Sequence, residues 1–108
     1  MRTPRSILRE QAALLGAKTK NLVEASAQTH VADNSPNINH NFLLVVPALD
    51  YAYSLFAICQ GPGIYPVGVM GNKYQFGTEQ ELIDWLGATL SSPDTKRIVS
   101  NLLAQVAA

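Results

Sequence analysis

The chain has 108 residues, the length of one domain with a single core, and its eight basic and eight acidic side chains cancel. A neutral chain projects no overall field towards nucleic acid or an acidic membrane, and charged residues at 15% fall below the roughly 25% usual in soluble domains. That shortage fits either an Ala-rich small protein or one that hides apolar surface against a second copy or another protein.

From Ser6 to Ser26, Leu8, Ala12, Leu15, Thr19 and Leu22 recur at alternating four- and three-residue steps, which predicts one amphipathic helix. Thr3 or Ser6 can cap it, Pro4 is tolerated in its first turn, and Gly16 permits close approach to a sheet. Over the first twenty residues Arg2, Arg5, Arg9, Lys18 and Lys20 face only Glu10, a surplus of four positive charges. Arg5, Arg9, Lys18 and Lys20 are therefore candidates for nucleic-acid binding, but no aromatic side chains are interleaved with them, and a solvated helix face is the reading adopted.

Ala27 to Val31 reads as a short strand or the frayed end of the helix, and Ala32 to His40 as a polar, turn-rich and mobile loop. Phe42 to Val46 is a short, continuous apolar run ended by Pro47, as expected of an inner strand buried on both faces. From Tyr53 to Gln60 the residues alternate, with Tyr53, Leu55, Ala57 and Cys59 on one face and Ser54, Phe56, Ile58 and Gln60 on the other. Gly61-Pro62-Gly63 supplies a turn in which a glycine can take positive φ. Gly71-Asn72 is a two-residue hairpin signal that would set Val69 opposite Tyr74 and Val67 opposite Phe76. Thr78 to Glu81 is a capping box opening a helix with Leu82, Ile83, Leu86 and Leu90 on its apolar side and Trp85 at the margin. Ser92 and Pro93 open a last helix, with Ile98, Val99, Leu102, Leu103 and Val106 buried.

The elements add up to a single α+β domain over residues 1–108: an N-terminal helix, an antiparallel meander of three to four strands, and two C-terminal helices packed on one sheet face. Cys59 has no partner for a disulfide, no signal peptide is visible, and the longest apolar run is far short of the roughly 20 residues that span a bilayer, so a cytoplasmic setting is expected. His30 and His40 have no companions at metal-ligand spacing, and Cys59 among Phe56, Ala57 and Ile58 reads as a small buried hydrophobe, so no metal, cofactor or catalytic residue is assigned. The best pocket candidate joins Asp50, Tyr51, Tyr53, Tyr65 and His40, whose polar tips would converge at one sheet end, as a small-ligand or enzyme site.

The segments Leu8-Arg9-Glu10-Gln11-Ala12, Lys18-Thr19-Lys20-Asn21-Leu22-Val23-Glu24, Val46-Pro47-Ala48-Leu49-Asp50, Tyr53-Ser54-Leu55-Phe56, Tyr65-Pro66-Val67 and the tail from Leu90-Ser91-Ser92 to Gln105 together resemble a family of small uncharacterised bacterial proteins, a domain of unknown function. The resemblance spans nearly the whole chain, implies a bacterial cytoplasmic protein, and carries over no activity, cofactor or site residue. The expected function is that of a small non-enzymatic interaction or regulatory protein. It would associate with itself, as a homodimer, or with a protein partner through an uncovered sheet face or edge.

Overall fold

The computed structural model describes residues 3–20, 22–31, 36–71 and 74–107. Helix α1 (Pro4–Lys18) is followed by strands β1 (Glu24–Val31), β2 (Ile38–Val46), β3 (Tyr51–Gln60), β4 (Val67–Val69) and β5 (Gln75–Phe76), then helices α2 (Glu79–Leu90) and α3 (Pro93–Ala107). The strands form one antiparallel sheet in sequential order, a meander of five strands where three to four were expected.

Helix α1 starts where Thr3 Oγ1 accepts the Ser6 N–H at 3.3 Å, so Thr3 is the cap and Ser6 is not. It ends eight residues earlier than the periodicity to Ser26 suggests. Thr19 Oγ1 donates to the Val23 carbonyl at 2.6 Å and accepts the Val23 N–H at 3.3 Å, while Lys20 adopts a left-handed φ of 54°. These bonds reverse the chain, leaving Leu22 exposed and Val23 buried as the entry to β1.

Strand β2 already begins at Ile38, so Ile38, Asn39 and His40 belong to the sheet and not to a mobile loop; positions 32–35 of that expected loop lie outside the described residues. Burial along β2 alternates: His40, Phe42, Leu44 and Val46 are buried, while Asn39, Asn41, Leu43 and Val45 are half-buried. The expectation of burial on both faces is corrected here, because Ile7, Leu8, Leu82, Leu86 and Leu102 of the helices meet only the face of Phe42 and Leu44.

A bulge corrects the phase of β3. Phe42 stands opposite Phe56 but Leu43 opposite Ser54, which leaves Leu55 as the extra residue. Tyr53 and Tyr51 therefore pair with Leu44 and Val46 on the helix-covered side, with Phe56 and Ile58, and not with Ala57 and Cys59. At the following turn Ile64 N–H donates to the Gly61 carbonyl, and the positive φ falls on Ile64 (71°) and on neither Gly61 nor Gly63. The β4–β5 hairpin has the expected register, with Val67 opposite Phe76 and Val69 N–H donating to the Tyr74 carbonyl at 3.1 Å; Gly71 takes φ 79°, and Asn72 and Lys73 lie outside the described residues.

Both C-terminal helices start at the caps that their sequences predict. Thr78 Oγ1 accepts the Glu81 N–H, and Ser92 Oγ accepts the Thr95 N–H ahead of Pro93. Trp85 is more central than its position beside the apolar stripe implies. Its ring meets Phe56 edge-on at 5.0 Å and Phe76 at 5.3 Å, and Phe56 stacks on Phe42 at 5.1 Å, so four aromatic rings tie α2 to the sheet.

Candidate functional site

The meander draws the five pocket candidates apart. His40 lies opposite Ile58, seven positions along β3 from Tyr51, which at about 3.3 Å per residue is roughly 23 Å. Tyr65 follows Gln60 at the His40 end, whereas Asp50, in the left-handed region at φ 48°, closes the short turn Pro47–Leu49 beside Tyr51 at the opposite end. Asp50, Tyr51 and Tyr53 are exposed, Tyr65 is half-buried against the core, and His40 is buried, so no one cavity joins the set.

His40 has a different role from the one expected. Its Nδ1 lies 3.0 Å from Thr29 Oγ1 on β1, and its Nε2 lies 2.7 Å from Gln60 Oε1 on β3, both neighbours coming from the strands that flank it. With the Gln60 amide oxygen accepting, Nε2 carries the ring proton and Nδ1 accepts from the Thr29 hydroxyl, which satisfies a neutral imidazole completely. A hydroxyl, an imidazole and an orienting amide in series have the order of a nucleophile and its base. The cleft between α1, α2 and α3 and the one beside Cys59 and Gln60, however, are lined by neither Thr29 nor His40. The chain of bonds thus locks β1, β2 and β3 in register. Strand alternation alone puts Gln60 on the face of Ile58; placing Thr29 beside His40 required the register of β1 on β2.

Cys59 is half-buried on the face away from the helices, in a cross-sheet row running His30, Asn39, Cys59, Gly68, Gln75. Among the described residues no three of His, Cys, Asp and Glu come together to hold a metal. The basic set also divides. Arg5 and Arg9 are one turn apart on α1, but Lys18 lies nine residues beyond Arg9, about two and a half turns, and so projects from the opposite side. Lys20 stands beyond the helix, and all four are exposed.

The feature left open is a sheet edge. Strand β1 is terminal in the sheet, and no backbone hydrogen bond among the described residues reaches its outer side. Over its eight residues, EASAQTHV, it carries no proline, lysine or arginine, the residues that usually protect an edge from further pairing. Gln28, Thr29, His30 and Val31 are all exposed, Val31 by 57%. The other terminal strand, β5, has only two residues and offers far less to pair with.

Comparison with protein families, with curated proteins and with solved structures finds no match to this chain. Among the described residues no helix is long and apolar enough to cross a membrane.

Proposed function

We propose that this chain is a small interaction protein that works by association and not by catalysis, pairing with a second copy of itself along β1 to continue the sheet. The open eight-residue edge is the observation that carries this reading. A two-fold axis through Ala27 sets Ser26 opposite Gln28 and Glu24 opposite His30 of the second copy, all on the face away from the helices, and Ala25 opposite Thr29 on the other. Every facing pair is complementary or small, and no like charges meet. The resemblance to small bacterial proteins, and with it a cytoplasmic setting, belongs to the same proposal.

Light scattering over a tenfold concentration range at physiological salt tests it. The expected result is a species of twice 11.7 kDa that S26K/Q28K, which sets lysine against lysine on the face away from the helices, converts to monomer. A strict monomer at every concentration, or a dimer indifferent to S26K/Q28K, overturns the reading.

A further inference from the structure

The helical side of the molecule carries a second, independent feature. A cleft of about 560 Å³ lies between α1, the last turn of α2 and the first half of α3, within the range of roughly 300–1,000 Å³ typical of small-molecule sites. Leu14, Leu15, Leu90 and Val99 form its apolar lining, with Lys18 and Lys96 also on its walls.

Three observations give this cleft a ligand chemistry. The first is on α1, which has two working faces: Ile7, Leu8, Ala12 and Gly16 are buried, while Gln11, Leu14, Leu15 and Lys18 repeat at helical spacing along the cleft, apolar in the middle and polar at its ends. Leu14 stays 50% exposed there, an apolar surface that gains from being covered. The second is charge. No carboxylate lines the cleft, and no ion pair among the described residues engages Lys18 or Lys96. The hydroxyls of Ser91 and Thr95 are spent on the carbonyls of Gly87 and Thr89 at 2.6 and 2.7 Å, so the two ammonium groups are the free charged donors. The third is Gly87, in the last turn of α2 and in a cleft wall, where an added Cβ would meet nothing within 4 Å. Its missing side chain leaves that wall open.

We propose that this cleft binds an amphipathic monocarboxylate, its apolar chain against Leu14, Leu15, Leu90 and Val99 and its carboxylate held by Lys18 and Lys96. Calorimetric titration of the full chain with sodium decanoate, below micelle formation and at physiological salt, tests it. The expected result is saturable one-site binding below about 1 mM, roughly tenfold weaker in K18Q/K96Q and absent in G87F, whose ring fills the cleft. Acetate, with the head and no tail, and decyltrimethylammonium, with the tail and the wrong head, give no saturable heat. The two lysines are exposed, so K18Q/K96Q is expected to keep the far-ultraviolet circular dichroism of the parent and remains decisive should G87F not fold. No saturable binding by the parent, equal binding by decyltrimethylammonium, or unchanged affinity in K18Q/K96Q overturns the proposal.

Discussion

The two faces of β2 share one run of sequence and have opposite fates. Phe42, Leu44 and Val46 are fully buried under the helices, whereas Leu43 and Val45, equally apolar, are only half-buried by their neighbours in the sheet. Burial here is decided by what lies above the strand and not by the residues in it. A layer of three helices on one side leaves the other face half-buried and the second half of β1, from Gln28 to Val31, exposed.

The sharpest way to break this contrast is to truncate one residue on each face. Phe42→Ala removes a ring that is fully buried and stacked on Phe56, and its expected cost is about 3–5 kcal/mol, enough to bring a domain of this size close to unfolding. Leu43→Ala, one position along, is expected to cost only about 1 kcal/mol, as half-exposed apolar area implies. Urea denaturation midpoints of the two variants measure the difference directly; equal losses would mean that something also covers the open face.

The same contrast marks what the sequence can and cannot reveal. Turn and cap chemistry is local, so the Thr78 and Ser92 caps and the register of Val67 with Phe76 were legible from a few adjacent residues. The end of α1 was not, because Leu22 and Val23 continue the apolar spacing and only the Thr19 hydroxyl, bonded to Val23, reveals the reversal. Nor was the bulge at Leu55: strict alternation puts Tyr53 on the wrong side, and no glycine or proline marks the slip. Of the candidate site residues, His40 proved to be a buried strand residue because two of its contacts come from 11 and 20 residues away, beyond any local pattern. The open edge was legible only as the short Ala27–Val31 segment, since its exposure depends on β1 being last in the sheet.

His40 sits where the packed face becomes polar, and it gives the next largest effect. His40→Leu strands the buried Gln60 amide, with an expected loss of about 1–3 kcal/mol. Converting the partner as well, in H40L/Q60L, removes the stranded acceptor, and the double variant is expected to lose less than H40L alone. A double variant that loses the sum of the H40L and Q60L losses would show that His40 and Gln60 stabilise the sheet separately and not as one bonded chain.

The smallest effect belongs to the open edge, and it is the most specific. With the axis at Ala27, His30→Glu sets a carboxylate opposite Glu24 of the second copy at two symmetric places. Like charges directly opposed across strands oppose pairing by roughly 0.2–1 kcal/mol each, so the two together weaken the dimer by about twofold to about thirtyfold. Adding Glu24→Lys turns both clashes into attractions, and H30E/E24K is expected to recover the parent's dimer affinity or exceed it. Because these charges are exposed, the difference between H30E and H30E/E24K should shrink as salt rises from about 0.05 to 0.5 M. A register slipped by two residues would set Glu24 against Gln28 instead, and H30E/E24K would then bring no recovery. Recovery therefore identifies the axis as well as the edge, whereas a dimer that ignores both changes must use a surface other than β1.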